Sequence, residues 1–425
     1  MTNDLREPAP LGRLGIWTWT LDAAPMAQAQ EAVAELEELG FGAVWIPEAV
    51  GREPFAHAAL LLSATKRIVV ATGIASMYAR TAVTMQAGHK TLTEAFGDRF
   101  LLGIGASHAH MAKALHKSSY DKPYSTMVDY LDTMDKAMFA AAAPAVRPRR
   151  VLAALGPKML QLSVDRADGA HPYFTTPEHT AIARDVLGPS AILAPEQAVI
   201  LSTNADEARE LGRKFMSTYL RAPNYTNNLL RLGFTEDDIK GANGQPSDKL
   251  VDAICVWGTL DTIATRLRQH FDAGASHVSV QVLAGDLATL PLHEWRELSS
   301  LGVRSSDATS HAVYATLQLA HAADPAVAIS SFRLHILRNF GMRQNQESFA
   351  FNGINNGIGY CVRLQHRARR AHHIGTATEI VSGVQHRRVD TLRTQTTHRD
   401  SATAVGNRHP LSKGECGVFR QGVRR

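Results

Sequence analysis

Short apolar runs alternate with longer amphipathic runs over roughly the first 300 residues of the chain. Runs such as "AVWIPE" and "RIVVATGIAS" are short and rich in β-branched residues, which is typical of buried parallel strands. We predict eight strands, at 14–19, 43–48, 67–76, 99–105, 150–155, 169–174, 198–203 and 277–283. Strands that alternate with helices in this way predict an α/β fold with a parallel sheet.

Helix signals fill the intervals between these strands. The run 26–40 repeats apolar residues on one face and ends at Gly40, Pro157 suits a first helical turn, and Asn204 with Glu207 forms an N-capping pattern. We predict helices at 26–40, 82–97, 125–139, 157–169, 206–220 and 259–274. Eight strands, most of them followed by a helix, over about 290 residues predict a (β/α)8 barrel, the TIM barrel.

The segment "FLLGIGASHAHM" (100–111) raises one alternative, a doubly wound dinucleotide-binding sheet. Gly103 and Gly105 begin a G-x-G-x-x-G turn, but His108 occupies the position of the third glycine. The turn follows the fourth predicted strand instead of the first, and no acidic residue closes a strand about 20 residues later. The barrel is therefore the favoured interpretation.

The composition, 45% hydrophobic and 20% charged over 425 residues, is that of a globular protein. The sequence contains no apolar run long enough to span a membrane and no basic start followed by an apolar segment, so we expect no membrane partner and no secretion. Cys255, Cys361 and Cys416 are too few and too scattered for a disulfide framework or a zinc site. We expect a cytoplasmic protein.

The segment 302–425 differs from the rest in charge. It carries 16 arginines, one lysine and seven acidic residues, a net charge of +10, whereas the whole chain carries +5, so residues 1–301 carry −5. The segment has no sustained helical or strand pattern, its arginines are scattered and aromatic residues are not interleaved with them. We divide the chain into a barrel domain, 1–301, and a tail, 302–425, that we interpret as disordered or non-native sequence in preference to a nucleic-acid-binding arm.

The active site of a (β/α)8 barrel is built from the loops at the carboxyl ends of its strands. These loops hold no paired carboxylates, no metal-binding set of histidines and no G-x-S-x-G nucleophile, and we expect no metal ligand. Two glycine-bearing turns, "GIGAS" (103–107) and "LGPKM" (155–159), each lead into a helix, and helix N-termini bind phosphate well. They predict a phosphate-bearing cofactor that supplies the chemistry itself, as in hydride transfer.

Six segments, in this order and spacing, carry a resemblance to a known family. They are "GFGAVWIPE", "ATGIASMYAR", "RFLLGIGASH", "VLAALGPKML", "DRADGAHPYF" and "DAGASHVSVQVL". Residues 12 to about 300 resemble the luciferase-like barrel oxidoreductases, and more narrowly the branch that uses the deazaflavin coenzyme F420. The resemblance implies a homodimeric (β/α)8 barrel that transfers a hydride between F420 and a small organic substrate.

The resemblance also implies a bulge after the third strand, with a non-prolyl cis peptide at Gly73–Ile74 that backs the deazaflavin ring. The implied cofactor-binding residues are Trp17, Glu48, Gly73, Ile74, Ala75, Gly105, Ala106, Ser107, Leu155, Gly156, Pro157 and Met159. The catalytic candidates are His171, Tyr173 and Glu48, because each carries an ionisable group at the end of a predicted strand. Each also has a structural interpretation, Glu48 as a salt-bridged carboxylate and His171 as a buried core histidine.

Two departures from the family pattern bear on the substrate. In the sugar-phosphate dehydrogenases of this family an acidic residue followed by histidine ends the second strand, whereas this chain has Glu48 followed by Ala49; Ala106 replaces their glutamate in the fourth loop. Sugar-phosphate oxidation is therefore disfavoured, and the proton donor stays unassigned. The alternatives are an FMN-dependent luciferase-like monooxygenase and, from another class, a non-catalytic deazaflavin carrier or a nucleic-acid binder that uses its basic tail.

Overall fold

A computed structural model describes residues 11–241, 243–286 and 288–301, and two short strands further along the chain. The first unit contains eleven described strands: Leu14–Trp17 (β1), Ala43–Ile46 (β2), Val69–Thr72 (β3), Ala75–Ser76 (β4), Phe100–Gly105 (β5), Arg149–Leu152 (β6), Gly169–Ala170 (β7), Ile192–Leu193 (β8), Glu196–Ile200 (β9), Cys255–Trp257 (β10) and Val278–Val282 (β11). All of their pairings are parallel, as a sheet built from strand–helix units requires.

Thirteen helices with defined bounds connect these strands. They are Thr20–Ala23 (α1), Met26–Glu38 (α2), Pro54–Ser63 (α3), Ala82–Phe96 (α4), Ala109–Ala114 (α5), Pro123–Lys136 (α6), Pro157–Arg166 (α7), Pro177–Leu187 (α8), Ala205–Tyr219 (α9), Pro223–Arg231 (α10), Glu236–Lys240 (α11), Asp248–Ile254 (α12) and Leu260–Asp272 (α13). A further helical segment occupies 292–301. Pro157 begins α7, and the Asn204 side chain accepts from two backbone N–H groups of α9, as the sequence signals predict.

The sheet closes into the predicted (β/α)8 barrel. Its strands follow the order β10, β9, β11, β1, β2, β3, β5, β6, β7, β8, and β4 pairs with β5. Only two residues separate β8 from β9, and the chain there forms hydrogen bonds to a neighbour on each side. Ala194 N donates to Ala170 O of β7 at 3.0 Å, and Ser276 N, just before β11, donates to Leu193 O at 2.9 Å. The segment 192–200 is thus the strand between β7 and β11.

The prediction for this seventh strand was wrong in its bounds. The prediction was 198–203, but the strand begins at Ile192, is interrupted at Pro195 and ends at Ile200. The polar pair Glu196 and Gln197 concealed its first half, since both side chains are buried by tertiary contacts that a local pattern does not contain. Strand β10 and seven helices, α1, α3, α5, α8, α10, α11 and α12, were not predicted either.

Large side chains fill the barrel interior. Trp17, Trp45, Leu101 and Val151 belong to one buried cluster there, and a second layer of apolar residues packs between strands and helices. Gly15 shows how tight the interior is, because a Cβ at this position would lie 2.6 Å from Nε2 of His277. No helix among the described residues is long and apolar enough to cross a bilayer.

The chain divides into two units, and the second begins at Phe340. Its described part is an antiparallel pair of strands, Phe349–Asn352 (β12) and Cys361–Leu364 (β13). The expectation of disorder for 302–425 otherwise lies outside the described residues.

Candidate active site

A bulge follows β3 at the carboxyl face of the barrel. The peptide bond between Gly73 and Ile74 is cis, as the resemblance implies. Trp17 Nε1 donates to Gly73 O at 3.1 Å, and the bulge then returns to the sheet when β4 pairs with β5. The indole of Trp17 and the strand after the bulge therefore fix the position of this backbone.

Two glycines let the bulge pack closely against neighbouring side chains. A Cβ on Gly73 would lie 2.5 Å from Nε1 of Trp17 and 3.1 Å from Nε2 of His171. A Cβ on Gly105, at the end of β5, would lie 2.5 Å from Cδ1 of Ile74. The predicted cofactor residues of the first, third and fourth loops thus meet at one place, together with His171 of the sixth.

Glu48 lies beside the bulge in an ion pair. Its two carboxylate oxygens accept from Nη1 and Nη2 of Arg80, and Ser76 N donates to Oε2 at 2.7 Å. Both side chains are about one-tenth exposed, and Tyr130 donates its hydroxyl to Arg80 O at 3.0 Å. A carboxylate held by three donors is a fixed anion that orients the loop 73–80, so the contacts match the structural interpretation of Glu48, and its catalytic role stays a prediction.

His171 is fully buried at the end of β7. Its Nδ1 lies 2.6 Å from Ala194 O, and since a carbonyl only accepts, Nδ1 carries the proton. Its ring stacks on Trp45 with centroids 4.2 Å apart, and burial lowers the pKa of the imidazole to about 4. The ring is therefore neutral, and Nε2, which has no partner among the described residues, presents a lone pair as an acceptor.

Tyr173 stands at the centre of a hydroxyl chain. It donates to Oε1 of Gln281 at 2.8 Å, so in its 2.7 Å contact with Tyr219 the Tyr219 hydroxyl is the donor. The Tyr173 ring lies 5.0 Å from that of Trp17. Burial raises the pKa of both tyrosines well above the ordinary value, so each keeps its proton at neutral pH.

The fourth loop continues from Gly105 through Ala106 and Ser107. Ser107 has a left-handed backbone (φ 52°), and its carbonyl accepts from the hydroxyl of Tyr120 at 2.9 Å. His108 is the N-cap residue of α5, and its ring lies 5.5 Å from that of Tyr225 on α10. Burial lowers the pKa of His108. The part of the chain that the structure describes holds no cluster of three or more metal-ligating side chains.

The fifth loop ends at the first turn of α7. Leu155 O accepts from Nε2 of His179 at 2.9 Å, Gly156 is the N-cap residue, and no side chain caps the helix. Met159, one turn in, packs against the apolar layer around the barrel. The loop leaves the first turn of α7 without a side-chain hydrogen-bond partner.

Sequence reasoning missed one buried carboxyl group in this region, that of Glu196. Its Oε2 accepts from Phe174 N at 3.1 Å, and its Oε1 has no partner among the described residues. Burial raises its pKa to about 8, so the group is protonated at neutral pH. The only signal in the sequence was an acidic residue two positions before the apolar run 198–200.

Two cavities of about 270 and 300 Å3 lie at the opposite end of the barrel. Both are bordered by Leu11 and Gly12, before β1, and the residues that line them include none of the predicted site residues. The glycines, aromatic rings and unpaired polar atoms lie at the carboxyl face instead, where barrel enzymes place their active sites.

Comparisons with known proteins agree with this placement of the fold. A family model described as luciferase-like monooxygenase matches residues 14–277, more than half of the chain. A provisionally named coenzyme F420-dependent oxidoreductase of Mycobacterium tuberculosis is 26% identical over 195 residues, 39% of this chain and 55% of the relative, so the chain spans little more than half of its length. The 5,10-methylenetetrahydromethanopterin reductase of Methanolobus tindarius is 25% identical over 288 residues, 59% of this chain and 87% of the relative.

Two solved structures have the same fold. An F420-dependent secondary alcohol dehydrogenase in complex with an F420–acetone adduct matches with a TM-score of 0.56 at 14% identity, over 68% of this chain and 98% of its own. The oxygenating constituent of 3,6-diketocamphane monooxygenase from Pseudomonas putida, in complex with FMN, matches with a TM-score of 0.52 at 14% identity, over 70% and 97%. These structural similarities show the fold alone. The family model matches the sequence from β1 to β10, and on this match the chain belongs to the luciferase-like monooxygenase family.

Proposed function

We propose that the barrel binds coenzyme F420 at its carboxyl face and transfers a hydride between the deazaflavin and a small organic substrate. The observation that carries the proposal is the bulge at Gly73, packed against Trp17 and His171 at the carboxyl face, in a chain of this family. The relative from Mycobacterium, whose name includes coenzyme F420, supports the deazaflavin over a flavin.

The residues present fit such a cofactor. A flat ring needs a fixed backbone to lie against, and the glycines at 73 and 105 let the bulge backbone pack closely on Trp17, His171 and Ile74, where a Cβ would clash. A phosphate-bearing tail needs donors. No side chain caps α7, Pro157 has no N–H and Met159 N donates to Gly156 O at 3.1 Å, so the backbone donors that the proposal uses are those of Gly156 and Lys158. We therefore assign Trp17, Gly73, Ile74, Ala75, Gly105, Ala106 and Ser107 to the ring and Leu155, Gly156, Pro157 and Met159 to the phosphate side.

The bound deazaflavin supplies a ring carbon that gives or takes a hydride. Tyr173 binds the polar atom of the substrate: rotation of its hydroxyl hydrogen away from Gln281 offers a donor, while Tyr219 keeps donating to its oxygen. His171 offers only an acceptor at Nε2, because Nδ1–H is bound to Ala194. Glu48 and Arg80 hold the loop that carries the bulge.

A titration of the purified protein with each cofactor tests the proposal. We expect saturable binding of F420, measured by absorbance or fluorescence, and weak or no binding of FMN. Saturable binding of FMN but not of F420 would overturn the proposal. The Tyr173→Phe variant should bind F420 normally and turn over about 100-fold more slowly, as for loss of an acid or hydrogen-bond donor. The exposed Tyr124→Phe serves as control.

An FMN-dependent monooxygenase is the second candidate, since a barrel of this fold is known with FMN bound. Oxygen consumption with reduced FMN separates the two candidates. A deazaflavin carrier without activity would bind F420 and show no turnover with any substrate. The proposed homodimer is tested by light scattering on the same preparation.

A further inference from the structure

The hydroxyl group of Tyr173 makes two hydrogen bonds within the protein. It donates to Oε1 of Gln281 at 2.8 Å, and it accepts from the hydroxyl of Tyr219 at 2.7 Å. A phenolic oxygen has one hydrogen to donate and two lone pairs with which to accept. The hydrogen and one lone pair are thus used, and the second lone pair is the position at which this oxygen can still form a hydrogen bond.

Gln281 sets the direction of this hydroxyl chain. It belongs to β11, its side chain is 4% exposed, and its amide oxygen can only accept. The hydrogen of Tyr173 therefore points to Gln281, and the hydrogen of Tyr219 points to Tyr173. Burial raises the pKa of both tyrosines well above the ordinary value, so neither hydroxyl loses its proton at neutral pH and the direction is kept.

Tyr173 is the member of the chain that lies beside the bulge. It is partly exposed, whereas Gln281 is buried. The Tyr173 ring lies 5.0 Å from the ring of Trp17, and Nε1 of Trp17 donates to Gly73 O. A ligand next to the proposed position of the deazaflavin therefore meets the Tyr173 hydroxyl, with Gln281 behind it.

The titratable groups that act on this hydroxyl carry no charge at neutral pH. They are Tyr219, Tyr225 and Glu196; burial keeps the two phenols and the carboxyl group protonated. The rings of Tyr219 and Tyr225 lie 5.2 and 6.3 Å from the ring of Tyr173. Aromatic surface with a single hydroxyl group and no counter-charge suits an uncharged, mainly apolar ligand that has one polar atom.

We propose that Gln281 is a specificity-determining residue, which makes the site bind an uncharged alcohol in preference to the ketone with the same carbon skeleton. The inference rests on the proposed function and names the ligand class of the same site. A ligand hydroxyl donates to the second lone pair of Tyr173 and leaves both existing hydrogen bonds in place. A ketone oxygen only accepts, so the Tyr173 hydrogen must turn away from Gln281, whose buried Oε1 then loses its donor.

Matched pairs of ligands test this inference in the F420-loaded chain. The pairs are 2-propanol and acetone, cyclohexanol and cyclohexanone, and 1-phenylethanol and acetophenone. Each alcohol is added with the reduced cofactor and each ketone with the oxidised cofactor, so that no hydride moves, and Kd is measured by ligand-observed NMR. The ratio of the two Kd values is then compared between proteins, and the difference in cofactor state cancels.

We expect the wild type to favour the alcohol, and Gln281→Leu to shift the ratio towards the ketone by about 3- to 10-fold, the equivalent of one net hydrogen bond. Gln281→Glu, which keeps an accepting oxygen, should restore the preference for the alcohol. Tyr219→Phe removes the other hydrogen bond of Tyr173 but leaves its hydrogen on Gln281, so the preference should stay. The exposed Gln28→Leu is the control for the change of residue type and should have the wild-type ratio.

An unchanged ratio in Gln281→Leu would overturn the inference. An equal loss of affinity for both members of each pair would overturn it too, because Gln281 would then have a structural role alone. Gln281→Met, which keeps the length of the side chain, takes the place of Gln281→Leu if that variant does not fold. Binding of F420 without binding of any alcohol or ketone would overturn the inference and leave the proposed cofactor in place, whereas failure to bind F420 would overturn the proposed function itself.

Discussion

The buried carboxyl group of Glu196 makes the stability of the barrel fall as the pH rises from 4.5 to about 8. Its side chain is 1% exposed. The titratable groups that interact electrostatically with it are Tyr173, Tyr219, Tyr225 and Cys255, and none of these is a cation at neutral pH. Burial raises the pKa from 4.5 to about 8. Between these values the folded chain keeps a proton that the unfolded chain releases.

The sign and size of the effect follow from this difference. The contribution of Glu196 is fully present below pH 4.5 and is lost as the pH rises through about 8. Each pH unit inside this window removes about 1.4 kcal/mol from the free energy of unfolding, so the loss from pH 5 to pH 8 is about 4 kcal/mol. Glu196→Gln cannot ionise, and its amide oxygen can still accept from Phe174 N.

Urea unfolding of both proteins from pH 5 to pH 8.5, followed by tryptophan fluorescence, measures this difference. We expect Glu196→Gln to be close to wild type at pH 5 and more stable than wild type by about 4 kcal/mol at pH 8. The exposed Glu94→Gln controls for the change in net charge and should run parallel to wild type. Parallel curves for wild type and Glu196→Gln would refute the reasoning, because they would mean that Glu196 ionises alike in both states.

Three further predictions concern other parts of the chain. Burial lowers the pKa of four histidines to about 3 or 4: His89, His171, His270 and His277. The free energy of unfolding, measured in urea, should therefore fall by up to about 5 kcal/mol per pH unit as the pH drops from 6.5 towards 4. An unchanged unfolding midpoint between pH 6.5 and 5 would contradict this prediction. Trp45→Phe removes the donor of the 3.0 Å bond to Nε2 of His277 and should be about 1–3 kcal/mol more destabilising than Trp295→Phe, whose equally buried Nε1 has no partner among the described residues. Deletion of 302–425 should leave cofactor affinity and the unfolding midpoint unchanged, whereas strongly salt-dependent DNA binding that disappears with the deletion would favour the nucleic-acid arm.

Local pattern located most of the barrel strands and failed where residues distant in sequence determine the structure. Runs such as 43–48 and 99–105 contain β2 and β5, because strands buried on both faces are apolar throughout. The strand from Ile192 to Ile200 contains Pro195 and two polar residues, and its hydrogen bonds are completed by β7, β10 and β11, which are distant in sequence. Helix α10 was missed for a related reason, since Asn228 is buried by contacts that its own segment does not reveal.

The candidate site divides along the same line. Glycines at strand ends are visible in the sequence, and Gly73 and Gly105 do lie together at the bulge. The roles of the ionisable groups were not visible, because partners and burial fix them. Glu48 is bound by Arg80, 32 residues later, and His171 keeps its proton on Nδ1 because of Ala194, 23 residues later.

The sequence by itself determined the barrel, the face that carries the loops and the family to which the chain belongs, because strand and helix periods and strand-end glycines are local properties. The tertiary structure alone decided which buried polar atoms lack a partner among the described residues, for example Nε2 of His171, Oε1 of Glu196 and Nδ2 of Asn228. The physical reason is that protonation and hydrogen-bond satisfaction depend on desolvation and on partners far away in sequence, which exist only once the barrel has closed.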